Sequence, residues 1–147
     1  MDLTVAKKIL ENGIGFVARS GLRVVEIERG QVKCLMPFKD NINHIGTMYA
    51  GALFTLAEIP GGALFLSSFD TARYYPVVKE LNLRFLKPAK GDVTVDLALS
   101  EDRITALQAQ ADTEGKAEFV LDAELKDAGG VVVAISHGVY QIRANAR

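Results

Sequence analysis

From Met48 to Phe69 the chain carries a single charged side chain, Glu58, within a run of apolar and small residues. Leu53, Phe54, Leu56, Ala57 and Ile59 read as part of a helix that is apolar on nearly every side. Such a helix belongs in a protein core or in a membrane. A lone carboxylate in it is unfavourable unless it is paired, hydrogen-bonded or used for chemistry. The run is about long enough to cross a bilayer, which takes roughly 20 apolar residues. Glu58 near its middle, Pro60-Gly61-Gly62 just beyond and the lack of flanking Lys/Arg clusters favour a core helix and no membrane partner.

The rest of the chain fits a protein that folds around this helix. At 147 residues it has the length of one domain, 1–147, with a core of ordinary size. A net charge of -1 gives no basic field for nucleic acid. Cys34 is the single cysteine and the two histidines lie in separate segments, so neither an intrachain disulfide nor a metal site is expected. Met1–Leu10 holds Asp2, Lys7 and Lys8 with no continuous apolar stretch, unlike a secretory signal. A reducing, cytoplasmic setting is the expectation.

Ala6, Ile9, Leu10, Gly13, Ile14 and Val17 share one helical face, which predicts a first helix ended by Gly21 as a left-handed cap. Leu22–Arg29 and Val32–Pro37 read as a hairpin turning at Gly30-Gln31. A polar loop, Phe38–Ile45, then leads to the central helix, with Thr47 as its expected N-cap. Pro60 should kink or break that helix, because it has no N–H and disfavours helical geometry at Ile59. Beyond Phe69 the pattern changes to period two. Leu81, Leu83 and Phe85 alternate with polar residues, as do Val93–Leu99 and Phe119–Leu125, which marks antiparallel strands covered on one face. Asp127-Ala128-Gly129-Gly130 reads as a hairpin turn into a strand over Val131–Ile142. Glu101–Asp112 interrupts the strands as a short helix capped by Ser100. The expected class is α+β.

The central stretch, Asn43…Gly46-Thr47-Met48-Tyr49-Ala50-Gly51…Glu58, and the later Leu81–Asp92 segment with its Pro88-Ala89 turn resemble the hotdog fold. In that fold an antiparallel sheet wraps a long central helix. The likeness is to acyl-CoA thioesterases of the phenylacetate-pathway and mammalian thioesterase-superfamily-member types, and it spans roughly Leu22 to Ile142. The family pattern is an Asn, then Gly-Thr, then His-Gly-Gly opening the helix, then an acidic residue further along. Here Tyr49 stands in the His slot, Ala50 in the first Gly slot, and Val78 where some members have Ser. The Glu101–Asp112 insertion is absent from the simplest members.

The resemblance implies hydrolysis of an acyl-CoA thioester. Backbone N–H groups at Gly51, with Ala50 beside it, would polarise the carbonyl, and Glu58 would act as general base or nucleophile. Asn43 would orient the water or thioester. Tyr49, Ala50, Thr47 and the neighbouring His44 would line the substrate, with coenzyme A entering as part of it and no separate cofactor. Gly51 and Glu58 are seven residues apart, roughly 10 Å along one helix. In the family two antiparallel helices from two subunits close that distance, which implies a homodimer or a dimer of dimers. Arg73, Lys87 and Lys90 are candidates for the phosphates of coenzyme A.

Two other functions share the fold. One is a module that binds an acyl thioester or metabolite without turning it over. The other is an enoyl-thioester hydratase or dehydratase using His44 with Glu58.

Overall fold

The computed structural model describes residues 1–146. Its elements are α1 (Leu3–Asn12), α2 (Gly15–Ser20), β1 (Arg23–Glu28), β2 (Gln31–Met36), α3 (Ala50–Ser68), β3 (Tyr74–Phe85), β4 (Val93–Ala98), α4 (Glu101–Glu114), β5 (Lys116–Asp127) and β6 (Val132–Ala144). The six strands form one sheet in the order β1-β2-β4-β5-β6-β3, and every neighbouring pair is antiparallel. Helix α3 packs against strands from both halves of the sheet. The expected α+β hotdog architecture, an antiparallel sheet around a long central helix, is the one observed.

Helix α3 buries Leu53, Leu56, Ala57, Ile59, Leu64 and Phe65 among others. It is long and apolar enough to cross a membrane by length and composition, yet most of it is buried within the domain. Apart from Ala50 and Ser67 near its ends, its less buried positions form one stripe: Gly51, Phe54, Glu58, Gly62 and Leu66, spaced so that they share a face. Of the kink or break expected at Pro60, the break does not occur. The helix runs unbroken from Ala50 to Ser68 with Pro60 inside it. An interior proline costs about 3 kcal/mol, and burial of this many apolar side chains outweighs that.

Two further boundaries differ from the sequence reading. The N-terminal helix divides at Gly13-Ile14 into α1 and α2, with Ile9 and Ile14 about half exposed. Gly21 is the left-handed cap, but of α2 (φ 77). Thr47 is not the N-cap of α3. Tyr49 holds that place and makes no side-chain cap, because the Thr47 hydroxyl already accepts from Asn43 Nδ2 at 2.8 Å.

Strand β5 pairs with β4 only through Leu125–Asp127. Helix α4, capped by Ser100 accepting from Arg103 N–H at 3.1 Å, packs against β5 and β6 and buries Ile104, Leu107 and Ala111. Strand β3 is an edge of the sheet, and it carries Pro76, a residue that edges tolerate. At the other side, Cys34 is fully buried on β2, between β1 and β4. Its thiol is pushed up to about 12 by burial, with smaller contributions from the Glu11 and Asp96 carboxylates.

Candidate active site at the start of the central helix

The loop before α3 is built by asparagine side chains. Asn43 Oδ1 accepts from the N–H groups of Ile45 and Thr47, both at 3.0 Å. Its Nδ2 donates to Thr47 Oγ1 at 2.8 Å, and its own N–H donates to the Thr47 carbonyl at 2.7 Å. Asn43 is therefore the organiser of a tight turn, with one amide hydrogen left over. Gly46 takes the left-handed conformation (φ 85) that the turn requires. Asn41, which sequence reasoning passed over, ties the loop to the rest of the fold. Its Nδ2 donates to the carbonyls of Ser20 at 2.7 Å and Pro37 at 2.8 Å. Met48 N–H donates to the Ala89 carbonyl at 2.8 Å, which fixes the Pro88-Ala89 turn beside the helix start.

This construction gives a testable result. Asn43→Ala removes three side-chain hydrogen bonds from the turn. It is expected to lower stability by about 1–3 kcal/mol in denaturant unfolding. A change inside ±0.5 kcal/mol would mean the turn holds without it.

The helix then opens with two free donors. Ala52 and Leu53 N–H both donate to the Tyr49 carbonyl, at 3.0 and 3.2 Å. The N–H groups of Ala50 and Gly51 donate to no acceptor among the described residues. Both lie at the positive end of α3. Beside them opens a cleft of about 320 Å³ lined by Asn43, Thr47, Ala50, Leu53, Phe85 and Lys87 among others. Tyr49 leans on Gly51: a Cβ at position 51 would lie 2.4 Å from the Tyr49 ring. His44 is exposed on the turn and has no partner among the described residues.

Glu58 is half-buried on the open stripe of α3, and no described residue hydrogen-bonds its carboxylate. Burial raises its pKa, the direction expected when a carboxylate leaves water without a compensating charge. Next to it, on β6, lies Tyr140, whose phenol is pushed up to about 12 by burial and then by the Glu58 charge. Tyr140 was also missed from sequence. The signals were a tyrosine amid small and aliphatic residues on β6, with Gly138 two positions before it and Gly61 one helical turn after Glu58.

The structure therefore brings Asn43, Thr47, Ala50, Gly51 and Tyr49 together at the helix start, with His44 at the rim. Glu58 stands apart, two turns along. Of the three candidate phosphate contacts, Lys87 lines the cleft, Lys90 is exposed, and Arg73 is engaged by Asp112 at 2.7 Å.

Known proteins match this chain in fold and in sequence. A Pseudomonas aeruginosa protein of unknown function, named as a probable thioesterase, is 53% identical at a TM-score of 0.96, over 99% of this chain and 97% of that one. A mutant thioesterase from Pseudomonas aeruginosa aligns at a TM-score of 0.74 with 21% identity, over 99% and 96% of the two chains. A thioesterase from Haemophilus influenzae aligns at 0.75 with 14% identity, over 98% and 92%. These last two share the fold. No curated protein matches the chain. The family model described as a domain of unknown function, DUF4442, matches residues 5–141. The chain is thus a member of the DUF4442 family, within the thioesterase-like hotdog superfamily.

Proposed function

We propose that the protein hydrolyses an acyl-CoA thioester at a site shared by two copies of the chain. One observation carries the reading. Two backbone donors open α3, at Ala50 and Gly51, and one unpartnered, partly desolvated carboxylate, Glu58, shares the open stripe of the helix with Gly51. The first pair suits the oxygen of a thioester as it gains negative charge. The second suits removal of a proton from water, or attack on the carbonyl carbon. The 53% identical probable thioesterase supports the same chemistry.

Within one chain the two groups lie seven residues apart, roughly 10 Å along the axis. A second copy, with its α3 antiparallel, sets Gly51 of one chain against Glu58 of the other. Phe54 on the stripe and Tyr49, Ile42 and Ile45 around the helix start are exposed, an apolar surface suited to burial between copies. Strand β3, an edge of the sheet, has main-chain groups free to pair with its counterpart.

In this arrangement the thioester oxygen accepts from Gly51 N–H and Ala50 N–H. Glu58 of the other copy takes a proton from water as the water attacks the carbonyl carbon; the C–S bond then breaks and the sulfur takes up that proton, so coenzyme A leaves as its thiol and Glu58 is restored. Asn43 acts by holding the turn that delivers the donors, and its spare amide hydrogen points to a role at the substrate. The cleft takes the apolar acyl or pantetheine portion, with Lys87 at its wall.

The position of Tyr49 over Gly51 favours a second reading, a module that binds acyl thioesters without cleaving them. Thiol release from a panel of acyl-CoAs, with sedimentation of the same sample, separates the two. The expected result is turnover by a dimer or larger assembly. Binding of acyl-CoA by calorimetry with no thiol released would establish the binding module instead.

A further inference from the structure

The geometry points to Tyr140 as the residue that positions Glu58, its hydroxyl donating a hydrogen bond to the carboxylate when the site is set for reaction. The inference rests on the reading of Glu58 as the reacting carboxylate.

The ring of Tyr140 is fixed. It stacks on Phe119 with centroids 5.8 Å apart, and it fills space that two glycines leave open. A Cβ on Gly61, from α3, would lie 2.4 Å from the ring and 2.9 Å from the hydroxyl oxygen, and a Cβ on Gly138, from β6, would meet the ring equally closely. Both glycines keep clear the slot that carries the phenol up to the helix. Gly61 is one turn beyond Glu58 on the same helix, so the slot ends beside the carboxylate.

The hydroxyl is a polar group without a partner. The residue is only 4% exposed, and its oxygen has no hydrogen bond among the described residues; since no fully buried side-chain oxygen or nitrogen there lacks a partner, the hydroxyl tip reaches the open surface beside Gly61 of α3. Val78, paired with Tyr140 across β3 and β6, offers an apolar side chain. The Glu58 carboxylate is equally unpartnered, and its charge acts on the phenol. The tyrosine is locked and the glutamate side chain is long and only half-buried, so the carboxylate makes the approach. The bond would keep Glu58 ionised and hold one oxygen, leaving the other for the water. Tyr140 is the titratable group facing Glu58 from β6. Helix α3 carries no other charge, and no charged side chain of α1 or β1–β5 shifts the ionisation of Glu58.

Tyr140→Phe keeps the ring and deletes the hydroxyl. Two readouts are taken on the purified protein: the Glu58 titration midpoint by carboxyl carbon NMR, and the pH profile of thiol release from acyl-CoA. The expected results are a Glu58 midpoint about one unit higher in Tyr140→Phe and kcat about 10- to 100-fold lower with KM little changed. The acid limb of the profile moves up with the midpoint, and the melting temperature stays put. An unmoved midpoint overturns the assignment, whatever the rate does. A moved midpoint with no thiol release from either protein upholds the pair and removes the hydrolase reading. A lower melting temperature with an unmoved midpoint would make Tyr140 a packing residue.

Discussion

Glu58→Gln is expected to lower kcat for thiol release by about 10²–10⁴, the usual contribution of a general base, with little change in KM. The same substitution is expected to raise stability at neutral pH. Burial lifts the Glu58 pKa in the folded state above its ordinary 4.5. Its contribution to stability is therefore fully present below the unfolded value and is lost as pH rises through the folded one. Gln keeps the size and never ionises, so the advantage of the variant exists at pH 7 and disappears in acid. Loss of rate with gain of stability is the signature of a group retained for chemistry. Unfolding at pH 4 and 7, beside steady-state kinetics, measures both. A variant as active as the parent would remove Glu58 from the reaction, and a variant less stable at pH 7 would make the carboxylate structural.

Ala50→Pro is expected to lower kcat by about 10²–10³, the loss typical of one oxyanion donor, without harm to the fold. Position 50 is the first residue of α3, and Tyr49 before it sits at φ -58, ψ 135. Proline is favoured at the first helical position, and the residue before a proline favours that extended geometry. Ala50 is exposed, so the ring has room. The substitution removes one N–H and nothing else, and it stabilises by about 0.4–1 kcal/mol through the unfolded chain. Kinetics and a melting curve decide. An unchanged kcat, with the helix intact, would assign that N–H no part in stabilising the oxyanion.

Both variants use features that the sequence disclosed unevenly. The core helix, its lone carboxylate, the period-two strands and α4 were legible because burial writes itself into residue spacing. Ser100 and Gly21 were legible as caps because they meet local backbone needs. Thr47 misled because a hydroxyl that can cap a helix can also serve a turn, and Asn43 claims it first. The division at Gly13-Ile14 was hidden because apolar spacing continues across it. The break expected at Pro60 did not occur because the buried surface around the proline outweighs the stiffness of one residue. Tyr140 was invisible to pattern alone. Its importance comes from Gly61 and Gly138, which are distant in sequence and meet only around its ring.

Cys34 gives the native state a clock. It is the chain's one thiol, it has no exposed surface, and burial holds it protonated at neutral pH. Thiols react as thiolates and only when reached by reagent. While the sheet is closed the protein is silent to any thiol-specific dye and adds no background to a thiol-release assay. Labelling of Cys34 proceeds only when β2 separates from its neighbours. Its rate therefore times the opening of the sheet, and a ligand that binds the closed protein slows it.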